Sequence, residues 1–305
     1  MEFEFIEWIR RRQSSSPGMK IPIGDDAAWL RFEGGELLAA VDMLSDGVHF
    51  DLREHGPRRA GRKALAVNLS DVAAMAGTPR FALVALGLPR DGGLRLAQEI
   101  HEGMAELASE HGVVIAGGDT NSWDAPLAVS VTILATAPKN GPLRRDQAQA
   151  GDRILVTGSF GGSIRGRHLD FPPRVREAKL LHERYRLHAG MDVSDGLSVD
   201  LSRLAAESNL GAAVNLDRIP ITDAARECAA EGTRSPLEHA LGDGEDFELI
   251  LAVPPEDAKR ILADQPLDVP VTEIGEFTAS GELTQIDSRG NQEPLIVRGY
   301  QHRFD

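Results

Sequence analysis

The chain has 305 residues, 42% of them hydrophobic and 5% aromatic, so two domains of ordinary size can each bury a core of Ala, Leu, Val and Ile. Its 47 acids against 33 lysines and arginines give a formal net charge of −14, which excludes a general nucleic-acid binder with its basic surface. A single cysteine, Cys228, excludes an intramolecular disulfide and a Cys-based metal site, and reads as a small residue on a helix.

The acidic, amphipathic start lacks the basic leader and apolar run of a signal peptide, and no stretch approaches a membrane span. A soluble, cytoplasmic protein without membrane contact is expected. Residues 3–12 read as a short helix with Phe5, Ile6 and Ile9 on one face, ended by Arg10-Arg11-Arg12. Residues 13–18 are a polar loop.

Next comes Ile23-Gly24-Asp25-Asp26-Ala27-Ala28, two adjacent carboxylates between a glycine and small residues. Residues 37–41 read as a strand ending at Asp42, and Asp46-Gly47 as a turn that holds His49 close behind it. Residues 57–76 read as a helix with a buried stripe of small side chains, Pro57 in its first turn and Asp71 within it. A mid-helix Asp among apolar residues is costly unless paired or coordinating, so Asp71 is the acid least readily explained by folding alone. Residues 81–88 read as a strand, 93–111 as a helix closed by Gly112, and 113–116 as a short strand delivering Gly117-Gly118-Asp119-Thr120. Paired glycines there permit close backbone approach to a phosphate.

Residues 138–151, rich in Pro, Gly and Arg, mark a boundary between domains at 1–137 and 138–305. Arg144-Arg145 suits phosphate contact, or is simply solvated linker charge. The second half opens with a strand at 153–157 and the glycine-rich turn Gly158-Ser159-Phe160-Gly161-Gly162-Ser163, which lacks the Gly-Lys-Ser/Thr ending of a Walker A loop. A helix is expected at 174–188. Asp192-Val193-Ser194-Asp195-Gly196 precedes a helix at 197–208, where Ser194 or Asp195 could be an N-cap, which leaves Asp192 unexplained. Gly244-Glu245-Asp246 leads into a strand at 247–253, and further strands are expected near 271–277 and 283–286. Each half mixes strands and helices, which suggests two α/β domains with a cleft between them.

One Asp beside Gly, Ser or Thr is usually a turn residue or an N-cap. Repetition through the chain is harder to explain that way. Clustered carboxylates stay ionised only with cations between them, and hard cations on oxygen ligands that bridge to phosphates fit the pattern.

Together these motifs resemble the thiamine-monophosphate kinase family, in the superfamily of aminoimidazole ribonucleotide synthetase, selenophosphate synthetase and a hydrogenase-maturation enzyme. The resemblance runs nearly end to end. It rests on Gly24-Asp25-Asp26-Ala27-Ala28, Val41-Asp42-Met43, Gly47-Val48-His49-Phe50, residues 63–71 with Asn68-Leu69-Ser70-Asp71, Gly117-Gly118-Asp119-Thr120, Arg145, Asp192-Val193-Ser194-Asp195-Gly196-Leu197, Gly244-Glu245-Asp246-Phe247 and Gly299-Tyr300. It implies an α/β (α+β) two-domain fold, whose N-terminal mixed sheet pairs in a homodimer and whose C-terminal domain closes the active-site cleft. It also implies ATP-dependent phosphorylation of thiamine monophosphate with several Mg2+ ions. Carried over by position, the metal ligands are Asp26, Val41, Asp42, Asp71, Asp119, Asp192 and Asp195, with Asp26, Asp71, Asp119 and Asp195 central to catalysis. Gly118, Asp119, Arg145 and Ser194 fall on ATP contacts, and His49, Glu245 and Tyr300 on substrate contacts. Two departures stand out. Ala40 and Val41 replace a family hydroxyl before Asp42, leaving backbone carbonyls, and Asp243 replaces a family glycine, adding charge near the substrate site. A sister enzyme acting on another substrate, or a non-catalytic binder of ATP and thiamine phosphates, is the alternative.

Overall fold

The computed structural model describes residue 20, residues 25–32 and residues 35–301. The expected helix at 3–12, the loop at 13–18 and Gly24 lie outside the described residues.

The N-terminal half builds a five-stranded mixed sheet in the order β1-β2-β5-β3-β4. Its strands are β1 (Ala28–Phe32), β2 (Gly35–Ser45), β3 (Thr78–Pro89), β4 (Val114–Trp123) and β5 (Ala128–Thr136). Strand β5 alternates buried and half-buried residues, with Val129, Val131, Ile133 and Ala135 turned to the core. One face of the sheet is covered by helices. Short α1 (Leu52–His55) leads into α2 (Pro57–Ala74), which packs on α3 (Gly93–His111). Two glycines set how closely those helices meet. A Cβ on Gly61 would fall 2.1 Å from the Ile100 carbonyl oxygen, and one on Gly103 1.9 Å from that of Arg58. The opposite face is open among the described residues, with Val41, Met43, Phe81 and Leu83 all exposed.

The C-terminal half builds a seven-stranded sheet in the order β12-β11-β8-β10-β6-β9-β7. These are β6 (Arg153–Thr157), β7 (Ala189–Asp192), β8 (Gly211–Asn215), β9 (Leu249–Val253), β10 (Val271–Thr278), β11 (Leu283–Ile286) and β12 (Gln292–Pro294). The helices are α4 (Arg167–Asp170), α5 (Val175–Arg184), α6 (Leu197–Glu207), α7 (Asp223–Glu231), α8 (Pro236–Gly242) and α9 (Pro255–Asp264). Strand β9 is buried on both faces. Leu249, Leu251 and Val253 join a core continuous with α2 and the N-terminal sheet, while Ile250 and Ala252 join a second core under α6 and α8. Helix α2 therefore runs between the two halves and is buried almost all round, its apolar wall interrupted by Lys63, Asn68 and Ser70.

Several expected boundaries move. Strand β2 continues through Asp42 to Ser45, because its antiparallel partner β5 pairs with it over nine residues, from Leu37 to Ser45. Gly117-Gly118-Asp119-Thr120 lies inside edge strand β4 and not beyond it. The glycines accommodate a register shift opposite Ala82 and Leu83, and a Cβ on Gly118 would sit 1.7 Å from the Val84 carbonyl oxygen. The helix expected at 174–188 stops at Arg184, and the chain runs extended into β7, a four-residue strand too short to show a period.

Candidate active site

Three elements carry carboxylates to one point. Asp26 stands in the bend before β1, Asp71 on α2 and Asp192 at the end of β7. Each offers an oxygen, and these oxygens lie within 4.8 Å of one another. Asp42 on β2 adjoins them and shares a hydrogen bond with Asp71. Burial pushes Asp71 and Asp192 well above the ordinary carboxylate range, and neighbouring carboxylates push further. Asp42 rises to about 6, through burial and then the Asp26 charge. Asp25 rises to about 7 through burial and Asp26, against the lowering effect of Arg145. Such acids share protons or cations, and the all-oxygen donor set suits a hard divalent cation.

The charges already present give partial compensation. The Arg145 guanidinium grips Asp26 through Nε at 2.8 Å and Nη2 at 2.6 Å, and its backbone N–H donates to Asp25 at 3.2 Å. Ser70 Oγ donates to Asp192 at 2.5 Å. Val41 lies mid-strand beside Asp42, with its side chain on the open sheet face.

Beside the acids opens a cavity of about 300 Å3, walled by Asp42, Met43 and His49 from one half and by Ser194, Asp195, Asp243, Glu245, Phe247 and Tyr300 from the other. The Ser45 N–H donates to His49 Nδ1 at 3.1 Å, which orients the ring. Glu245 and Phe247 both adopt left-handed backbone, at φ 53° and 49°. Non-glycine residues held there store local strain. Hydrogen bonds from the Glu245 N–H to the Ser194 carbonyl at 2.7 Å and from the Phe247 N–H to that of Val193 at 2.8 Å hold the turn.

Lys63 carries no signal of a site residue in the sequence. Its fully buried ammonium donates to Glu245 Oε1 at 2.5 Å and to the His49 carbonyl at 2.6 Å, tying the two walls together. Burial lowers its pKa, and the Glu245 charge opposes that. Asp243 does not present an unpaired charge to the cavity. Its oxygens accept from the Gly162 N–H at 2.8 Å and from Arg234 at 2.9 Å, with His239 Nδ1 alongside.

Ser194 and Asp195 do not cap α6. The N-cap is Gly196, and Asp200 reaches back to accept from the Asp195 and Gly196 N–H groups at 2.9 and 3.1 Å. Asp195 instead pairs with Arg203 at 2.5 Å and lines the cavity.

Gly118 and Asp119 stand apart from this site within the chain. Strand register runs Asp42, Val131, Val84, Gly118 across the sheet. Three interstrand steps separate Asp42 from Gly118, about 14 Å. Both Gly118 and Asp119 line another cavity of about 350 Å3, between β4 and α3, with His101 and Met104.

Comparison with known proteins bears on the family and the fold. Residues 24–137 match the family model for AIR synthase related protein, N-terminal domain, and residues 149–287 that for its C-terminal domain. The thiamine-monophosphate kinase of Rhodopirellula baltica is 41% identical, with 99% of this chain and 97% of that one covered. That of Bacillus subtilis is 31% identical, with 99% of each covered. The solved structure of AaThiL complexed with AMPPCP and TMP superposes with a TM-score of 0.86 at 28% identity, covering 99% of this chain and 97% of that chain.

Proposed function

We propose that this chain, which belongs to the AIR synthase related family and resembles its thiamine-monophosphate kinases along nearly its whole length, phosphorylates thiamine monophosphate with ATP to give thiamine diphosphate. The observation that carries the reading is the meeting of Asp26, Asp71 and Asp192 beside a cavity walled by both halves of the chain.

The acceptor is itself a phosphate monoester, with a second pKa near ~6, so at neutral pH it is mostly a dianion and a ready nucleophile. No general base is needed. The task is to bring two polyanions together in line. Mg2+ held by Asp26, Asp42, Asp71 and Asp192, with Asp119, Asp195 and the Val41 carbonyl as further ligands, would neutralise the charge that collects on the transferred group. Arg145 can move its guanidinium from Asp26 to phosphate oxygens once cations satisfy the carboxylate, and Ser194 offers a hydroxyl on the same side. On the substrate wall, His49, Glu245 and Tyr300 receive the thiamine rings. Glu245 suits a thiazolium cation, and Tyr300 gives an aromatic surface for it. Transfer is direct, from ATP to the acceptor oxygen, without a phosphorylated side chain.

In this reading residues 1–137 hold nucleotide and metal, and residues 138–305 close the cleft. The cavity at Gly118, Asp119 and His101 takes the nucleotide base. The distance from Asp42 to Gly118 and the open apolar sheet face support a homodimer, in which Asp119 of one copy serves the acid cluster of the other. The use of ATP as co-substrate supports a cytoplasmic location.

An Mg2+-dependent assay with ATP tests the proposal, offering thiamine monophosphate, free thiamine and a purine-precursor amide in parallel. Thiamine diphosphate formed from the monophosphate alone is expected. Turnover of the amide only, or ATP binding without any product, would contradict the proposal.

A further inference from the structure

A third cavity, of about 580 Å3, opens at the connector between the two halves. It lies at the end of the N-terminal sheet away from the acid cluster. Thr136, in its lining, is five residues along β5 from Val131, the partner of Asp42, which is about 17 Å at ~3.4 Å per residue. Its cations are Arg80 from β3, Lys139 from the connector and Lys179 from α5, and Glu183 is the one acid in the lining.

Among the described residues, none of these three cations forms an ion pair. Some exposed cations elsewhere find acids, while Arg53, Arg184 and Arg186 also form no ion pair among the described residues, so what marks this site is that three such cations gather on one cavity. Arg58 reaches both Glu102 and Glu106, and Arg298 reaches Glu238. In a chain of net charge −14, three cations without an ion-paired acid facing one cavity form a local positive site against a negative background. Arg80 donates through Nε to Thr136 Oγ1 at 3.4 Å, and its two terminal nitrogens make no further bond to the described residues. His182 is fixed on the connector by Nε2 against the Gly141 carbonyl at 2.9 Å, and Asn140 adds a neutral amide.

We propose that this cavity binds a small diphosphate anion, separately from the acid cluster. Three cations against the one acid, Glu183, leave a positive excess that complements two or more negative charges, and an Arg fork with two ammoniums matches oxygens spread over adjacent phosphates. The volume falls in the range of small-molecule sites and exceeds what a lone phosphate fills. Here the protein itself supplies the positive charge, so binding needs no metal. The site stands on this geometry alone. That both products of the proposed reaction, ADP and thiamine diphosphate, carry the diphosphate group rests on the reading above. Because both halves and the connector wall the cavity, an occupant would bear on how the halves meet.

The test uses the full chain in EDTA, where the acid cluster lacks the cations that a phosphate needs. Isothermal titration is run with inorganic pyrophosphate, and then with ADP and thiamine diphosphate. The wild type is expected to take up pyrophosphate without metal. Lys139→Glu combined with Lys179→Glu should weaken that binding by about tenfold or more for each cation removed, with Mg2+-dependent turnover and melting temperature kept. Arg80→Gln, which leaves α5 untouched, should weaken it by about tenfold. A tighter fit of one organic diphosphate identifies the source, and equal binding of all three assigns the site to the diphosphate group itself. Absence of metal-free pyrophosphate binding, or binding unchanged in both variants, would overturn the proposal. A wild type without kinase activity would refute the functional reading and leave this binding result standing.

Discussion

Asp71 and Lys63 sit on the same buried helix and carry opposite problems. Asp71 is a carboxylate among carboxylates, held above its ordinary range by burial and then by Asp42 and Asp192. Asp71→Asn removes a charge that the metal-free fold struggles to hold, so the variant should melt at or above the wild-type temperature in EDTA. Turnover should nevertheless fall by about 10²–10³-fold, as for loss of a group that organises transition-state charge. An Asp71→Asn variant with most of its activity would remove Asp71 from the site. Lys63 is an ammonium whose partner Glu245 is about one-third exposed on its side chain. Lys63→Met should cost about 2–3 kcal/mol, less than a fully enclosed pair because water screens Glu245. It should also raise the KM for thiamine monophosphate while leaving that for ATP in place. Equal changes in both would show a general loss of structure and not a role in the substrate wall. The raised acids also set a pH dependence. Asp25 and Asp200 stand at about 7, Asp42 at about 6 and Asp246 at about 8, burial being the first cause in each. In the folded chain they keep protons that the unfolded chain loses near its ordinary carboxylate pKa of about 4. The stability they lend is full below that value and is lost as pH rises through the raised values. Melting temperature in EDTA should therefore fall between about pH 5 and about pH 8, and Mg2+ should restore more of it at the higher pH. A flat profile in EDTA would contradict the burial of these acids without cations.

At the scale of elements, helix α2 is the part on which the site depends. It carries Asp71, Ser70 and Lys63, and its position is set by the close approach to α3 at Gly61 and Gly103. Gly61→Ala would drive a Cβ into the Ile100 carbonyl, and the backbone at both helices must give. A loss of about 2–4 kcal/mol is expected, and with it a weaker response of melting temperature to Mg2+. Unchanged stability would mean that the helices can separate without cost. Elements are most legible in the sequence where a local signal closes them. Helix α3 is legible to both ends, since Gly112 takes the left-handed conformation that ends it, and β6 and β11 match their expected limits. Edge strand β4 is not, because glycines that serve a bulge look the same in sequence as glycines that end a strand. The candidate site divides the same way. Asp71 and Asp192 stand out because an acid on an apolar segment conflicts with its surroundings. Lys63 is hidden, since its partner Glu245 is 182 positions away and a helical lysine ordinarily faces water. Asp200 is hidden as well, because reaching back to two N–H groups from the first turn leaves no pattern in composition.

At the scale of the whole molecule, the proposed pairing of two copies would bring Asp119 of one to the acid cluster of the other across the open sheet face. One face of the N-terminal sheet shows Val41 at 62% and Met43 at 68% exposure on β2 and Leu83 at 43% on β3, with Thr132 and Ser130 of β5 between them. The row Met43, Ser130, Ala85, Asp119 crosses that same face. If two copies pair there, Leu83→Glu, which lies outside the active-site cavity, should shift the chain to monomer in analytical ultracentrifugation and lower turnover together with it, since Asp119 would no longer reach the other copy's acids. A monomeric variant with full activity would show that each chain completes its own site. The account as a whole rests on direct phosphoryl transfer from ATP to thiamine monophosphate. A single-turnover reaction with γ-labelled ATP, Mg2+ and thiamine monophosphate, quenched with acid and separated, tests that most directly. The label is predicted to appear in thiamine diphosphate with none left on denatured protein. Label retained on the protein, or released only as inorganic phosphate, would contradict it.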